Sequence, residues 1–210
     1  VHACSKVDLR GKTVAIFGCG TIGLLTILSA RAMGASTIIG VDHKKENLKI
    51  AEKLEVDFTF QDYTDPKKSP SFYPNEEITN KIRIKCFGEG VDVAFEMSGS
   101  NQALNTAISS TRAGGDIILF GLSSGDYTLT QFQNIILHGK SLHGVVGRKV
   151  FQTWYVVSNL LMSKSHGLQD KIFKVILNQG NGTTFSFRNF DKTRFENAIK
   201  KYPKIIFKHD

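Results

Sequence analysis

Residues 13–42 read TVAIFGCGTIGLLTILSARAMGASTIIGVD, and this stretch decides the fold. Residues 13–18 are a short apolar run rich in β-formers, suited to a strand buried on both faces. Gly18, Cys19, Gly20, Thr21, Ile22 and Gly23 follow, and residues 22–33 read as a mostly apolar helix that Gly34 ends. Residues 36–41 make a second strand, closed by Asp42. A GxGxxG pattern alone is a weak signal. Here it follows a strand and opens a helix, and an acid ends the next strand 19 residues after Gly23. Each glycine then has a task. Gly18 permits the tight turn, Gly20 lets a pyrophosphate approach the backbone, and Gly23 lets helix and strand pack closely. The helix N-terminus offers unpaired N–H groups to phosphates. Asp42 is placed to accept hydrogen bonds from ribose hydroxyls and to repel a 2′-phosphate, which favours NAD over NADP. His43, Lys44 and Lys45 oppose that preference, since cations can hold a 2′-phosphate. A methyltransferase also pairs a Gly-rich first turn with an acid; the third glycine favours the dinucleotide.

The same rhythm continues outward. Residues 44–54 form an amphipathic helix, with a weak strand near 57–61. Residues 62–75 hold three of the four prolines and read as a long loop. A helix over 76–86, a strand over 91–97, a helix over 101–112 and strands over 116–122 and 141–146 follow. Such alternation predicts an α/β fold with a doubly wound parallel sheet of about six strands. Beyond Gly147 the rhythm changes. Residues 149–163 read as a long helix, with Trp154 and Tyr155 packing it against the sheet. Residues 178–183 are turn-like, 191–201 form an amphipathic helix, and 205–207 are strand-like. Ligands of open parallel sheets bind beyond the carboxyl ends of the strands. Residues 96–99 and 120–122 are therefore placed near the nicotinamide half, and Glu96 is read mainly as ordering a strand end. Cys19 reads as a small filler in the turn.

Composition narrows the rest. The chain has 210 residues, 41% hydrophobic and 22% charged, as in ordinary globular proteins. No stretch suggests a transmembrane helix, so no membrane partner is expected. The formal charge of +8 is uneven: residues 1–140 hold 15 basic and 15 acidic residues, and residues 141–210 hold 12 and 4. No nucleic-acid motif accompanies this excess, and no nucleic-acid partner is expected. Cys4, Cys19 and Cys86 form no CxxC pair, which fits a reducing cytoplasm. The six histidines are scattered and offer no metal-binding spacing.

Several segments together, VAIFGCGTIGLL with IIGVD, GVDVAFEMSG, GGDIILFGL and HGVVGRKVFQTWY, resemble the zinc-dependent medium-chain alcohol dehydrogenase superfamily. The branch most resembled is that of the L-threonine 3-dehydrogenases and polyol dehydrogenases. The resemblance implies a Rossmann domain over 1–165. A segment over 166–210 would return to a GroES-like catalytic domain upstream of Val1, and that domain would carry the zinc. The chain is accordingly expected to be a piece of a longer protein that is inactive alone. The resemblance implies backbone contacts from Thr21 and Ile22 to the pyrophosphate, and Asp42 on the adenosine ribose. Leu122, Val145 and Val146 would flank the nicotinamide, and Arg148 would approach the pyrophosphate or the nicotinamide ribose. Asn47 and Gln152 stand where threonine dehydrogenases usually place Arg and Glu. The implied activity is hydride transfer from a small polar secondary alcohol, such as L-threonine or a polyol, to NAD. A homo-oligomer, dimer or tetramer, is implied as well. The alternative is a stand-alone NAD(H)-binding sensor or structural module.

Overall fold

The structure is a computed structural model, and it describes residues 1–64 and 72–209. The expected loop over 62–75 lies in part, at 65–71, outside the described residues. The chain divides into two compact units, one of Val1–Tyr155 and one from Val156 onward.

The first unit is built on six parallel strands. They are β1 (Thr13–Phe17), β2 (Thr37–Asp42), β3 (Phe58–Gln61), β4 (Val91–Glu96), β5 (Thr111–Leu119) and β6 (Ser141–Gly144), in the order β3-β2-β1-β4-β5-β6. Helices α1 (Thr21–Ala32), α2 (Lys45–Glu52), α3 (Glu76–Lys85), α4 (Asn101–Ser110) and α5 (Phe132–Leu137) complete the unit. This is the Rossmann order, in which the winding reverses between β1 and β4. The alternation along β1 explains its two faces. Ala15 and Phe17 join a buried cluster with Ile78 and Ile82 of α3 and Leu104 and Ile108 of α4. Ile16 points the other way, toward α1, where a Cβ on Gly23 would lie 3.5 Å from its side chain. Fully burying each such Ile, Leu or Phe contributes about 1.5–3 kcal/mol, so the centre of the sheet is its most stable part.

The helices begin where short polar side chains replace missing backbone partners. Asn75 accepts from the Ile78 N–H at 3.1 Å, and its own amide donates to Asp62 at 2.9 Å. Ser100 caps α4 by accepting from Ala103. Two details differ from expectation. Strand β5 starts at Thr111, ahead of Gly114 and Gly115; the pairing shifts register between Val91 and Val93, so the glycines sit inside an irregular strand. The short helix α5 was not foreseen.

The second unit follows helix α6 (Gln152–Met162), which crosses the boundary between the units. It holds α7 (Leu168–Lys171), a π-helical turn over Ile172–Ile176, β7 (Thr184–Ser186), α8 (Lys192–Lys201) and β8 (Ile206–Lys208). Strands β7 and β8 pair in parallel, and Phe185, Phe195 and Phe207 pack ring against ring beside them. The expectation for Trp154 and Tyr155 is corrected. They are 48% and 71% exposed, and Trp154 meets only the edge of Phe151 in aromatic contact. No residue of α6 is buried. No helix among the described residues is long and apolar enough to cross a membrane.

Candidate dinucleotide site

Two clefts open at the carboxyl ends of the strands, one on each side of the β1/β4 reversal. The first, of about 290 Å³, lies where β1, β2 and β4 end. Gly18 turns the chain there with φ +95, and a Cβ on it would stand 2.9 Å from the Ser98 backbone nitrogen. Gly20 precedes α1 with φ −70, and a Cβ on it would meet no atom within 4 Å. Gly23 is the opposite case: its Cβ would lie 1.9 Å from the Gly18 carbonyl oxygen. One glycine thus faces open space and another is closed by backbone. The first internal bond of α1 runs from the Leu24 N–H to the Gly20 carbonyl, so the turn before it is the anion-seeking end of the helix.

Asp42 stands on the other side of this cleft and is 7% exposed. Its Oδ2 accepts from the Cys19 N–H at 2.7 Å and from the Asn47 amide at 3.0 Å. Its Oδ1 accepts from the Lys44 N–H at 2.7 Å. A carboxylate has about four acceptor positions; these bonds fill three, and His43 Nδ1 stands 3.5 Å from Oδ1. The carboxylate is therefore fixed in direction, with the glycine turn itself as one of its anchors. Burial, and then the Asp42 charge, push the Cys19 thiol far above the ordinary range, so it is an inert filler.

The second cleft, of about 700 Å³, lies beyond β4, β5 and β6 and is mainly apolar. Leu122, Tyr127, Val145 and Val146 line it, together with the carboxyl-bearing Glu96. The exits of β4 and β5 approach each other closely between the residues that line the two clefts. Gly99 has φ +75, and its Cβ would stand 2.5 Å from the Leu122 carbonyl oxygen. A Cβ on Gly121 would stand 2.1 Å from the Gly99 nitrogen. Glu96 braces the exit of β4: its Oε1 accepts from the Ser98 N–H (2.8 Å), the Ser98 hydroxyl (2.5 Å) and the Gly99 N–H (2.9 Å). Burial outweighs these bonds and pushes its carboxyl above the usual range.

The residues singled out from sequence fall into three groups. Gly18, Gly20 and Asp42 line the first cleft, and Leu122, Val145 and Val146 line the second. Thr21 and Ile22 form the first turn of α1, and Gly23 lies beneath it. Arg148 lines neither cleft; its guanidinium sits 5.8 Å over the Trp154 ring. Asn47 and Asp62 also line the first cleft, and sequence reasoning does not select them as ligand contacts. Of these two, only Asn47 carried a signal, by its position one turn after Asp42. Met97 and Ser98, expected near the nicotinamide half, line this first cleft instead, and of that segment Glu96 lines the second. Chemically, this arrangement can hold a diphosphate at α1, a ribose at Asp42 and a flat apolar ring beyond β5. Among the described residues there is no group of three or more His, Cys, Asp or Glu placed to hold a metal ion.

The comparisons agree with this fold. The chain is 31% identical over 160 residues to the L-threonine 3-dehydrogenase of Symbiobacterium thermophilum, covering 76% of this chain and 42% of that protein. Among solved structures, 2R,3R-butanediol dehydrogenase from Bacillus subtilis superimposes with a TM-score of 0.70 at 24% identity, over 98% of this chain and 53% of that one. An alcohol dehydrogenase from Thermus sp. ATN1 does so at 0.75 and 18% identity, over 100% and 54%. The chain spans about half the length of the curated relatives it matches. The family profile described as zinc-binding dehydrogenase matches residues 21–163, and the chain belongs to that family.

Proposed function

We propose that this chain binds NAD across the two clefts and presents its nicotinamide for hydride exchange with a small polar secondary alcohol such as L-threonine or a polyol. One observation carries the proposal: the open space over Gly20 and the fixed carboxylate of Asp42 face the same cleft. The open space suits a pyrophosphate at the α1 N-terminus, with Thr21 and Ile22 in the turn that receives it. Asp42 suits the adenosine ribose, and its charge disfavours a 2′-phosphate. Leu122, Val145 and Val146 offer apolar walls to the ring. When bound, the nicotinamide supplies the hydride acceptor. The names of the relatives support an alcohol as the donor. We further propose a cytoplasmic homo-oligomer. Its support is the three buried free cysteines and the exposed apolar side chains of Phe132, Ile136 and Leu137 on α5.

Titration calorimetry with NAD and NADP tests the cofactor. NAD is expected to bind more tightly, and Asp42→Asn to weaken NAD by about tenfold while narrowing the gap to NADP. Lys44 also lines the cleft, and tighter binding of NADP than NAD would assign the cation, not the acid, the deciding role. The alternative of a sensor or structural module is distinguished by an assay of the whole protein that carries this chain. Turnover of L-threonine or a polyol supports the dehydrogenase, and binding without turnover of any secondary alcohol supports the module. The 210-residue chain by itself is expected to bind and not to turn over.

A further inference from the structure

Glu96 ends β4, the strand beside the sheet's reversal, and is 2% exposed. Among the described residues, the three hydrogen bonds of its side chain all fall on Oε1. Its Oε2 stands 2.5 Å from the position of a Cβ on Gly121, and the residue lines the apolar cleft assigned above to the nicotinamide. The surrounding walls are mainly hydrocarbon, so a charge there is poorly screened. The other titratable groups lining this cleft are His2, Lys6, Tyr127 and Lys149. Lys6 and Lys149 are exposed and therefore screened by solvent. Tyr127 is engaged with the Gly99 carbonyl at 3.0 Å, and His2 with the Gly147 carbonyl at 3.2 Å. Glu96 is the one acid of the set.

Oxidised nicotinamide carries a positive ring and reduced nicotinamide a neutral one. We propose that Glu96 is an electrostatic positioning residue whose carboxylate favours the oxidised over the reduced cofactor, and so sets the redox balance of the bound pair. The inference rests on the dinucleotide assignment above. The three donors on Oε1 serve to fix the carboxyl, and none of these bonds falls on Oε2.

The test uses three ligands: NAD, NADH and ADP-ribose, which lacks the nicotinamide. Each is titrated into the chain and into Glu96→Gln and Glu96→Asp, at about pH 9 so that the carboxyl is ionised. In Glu96→Gln the affinity for NAD relative to NADH is expected to fall roughly tenfold, as loss of one poorly screened charge implies. ADP-ribose affinity should stay unchanged, and Glu96→Asp should retain most of the preference. If Glu96→Gln does not fold, judged by its melting curve, the ratio is read in the unmodified chain as pH is lowered. Protonation of Glu96 should then erase the preference while ADP-ribose binding holds. Equal weakening of all three ligands would reduce Glu96 to a structural brace and overturn the proposal, as would an unchanged ratio. Failure of the unmodified chain to bind ADP-ribose would instead overturn the dinucleotide assignment itself, and the proposal with it.

Discussion

Replacing Gly23 with Ala should open the first turn of α1 away from β1. The added Cβ would lie 1.9 Å from the Gly18 carbonyl oxygen and 2.9 Å from its carbon. Reaching even 3.0 Å requires the helix and strand to part by about 1.1 Å, by subtraction of that distance. Both atoms are backbone, so no side chain can turn aside. Overpacking of this kind costs about 1–3 kcal/mol, and the rigid partner places it at the upper end. Ala gains at most about 1 kcal/mol over Gly in a helix, and less in a first turn. The net loss is about 2 kcal/mol, which lowers the melting temperature by about 4–8 °C for a unit of this size. Urea titration and thermal melting followed by circular dichroism measure it. Gly20→Ala is the paired control, because its Cβ meets nothing within 4 Å and its φ is −70. It should melt like the unmodified chain yet bind NADH at least tenfold more weakly. A Gly23→Ala protein that melts within a degree of the original would refute the close-packing argument. A Gly20→Ala protein with full affinity would remove the phosphates from that space.

Three further outcomes are expected. Lys140 is 8% exposed, and its Nζ donates to the Ile108 carbonyl at 2.7 Å; burial and then nearby Arg83 push its ammonium down to about 8. The folded state therefore holds fewer protons than the unfolded one above that value. Stability should rise between pH 8 and about 10.4, by about 1–2 kcal/mol after allowing for partial screening, and Lys140→Met should flatten that rise. Asn75→Ala removes both the α3 cap and the bond to Asp62, and should cost about 1–2 kcal/mol in urea titration. Cys4, Cys19 and Cys86 are buried, and burial raises each thiol, that of Cys4 to about 11. A thiol reagent at about pH 8 should label none of them until urea unfolds the chain; labelling in the native protein would contradict their burial.

The β1-α1-β2 unit was legible because its signals are local. A β-rich run, three glycines at fixed spacing and a terminal acid all lie within residues 13–42, and the structure returns strand, helix and strand over them. Helix α5 was not legible: FQNIIL spans six residues, buries none and lacks a capping side chain, so neither periodicity nor a start signal marks it. The strand expected over 116–122 starts at Thr111 instead, because pairing to β4 carries it through Gly114 and Gly115. Residues 168–176 carry no strong helix boundary, and they form α7 and a π-helical turn. At the site, the order Gly18, Gly20, Asp42 could be read, whereas the role of Ser98 could not. It depends on how closely β4 passes the first glycine, 80 residues earlier, and only the pairing of β1 with β4 brings them together. Arg148 follows another course: its guanidinium lies over Trp154 and it is not among the residues lining either cleft, though Val146 and Lys149 beside it line the second.

The glycines at the exits of β4 and β5 bear on how such a protein can change. A Cβ on Gly99 would meet the Leu122 backbone and one on Gly121 the Gly99 backbone, so a side chain at either would push the exits of β4 and β5 apart. His43, Lys44 and Asn47 border only the first cleft, and Val145 and Val146 only the second. Substitutions at those outer positions can retune cofactor choice or the alcohol end separately, each without reaching the other. These traits are thus independently heritable, and selection is expected to hold the two glycines while the clefts are refurnished.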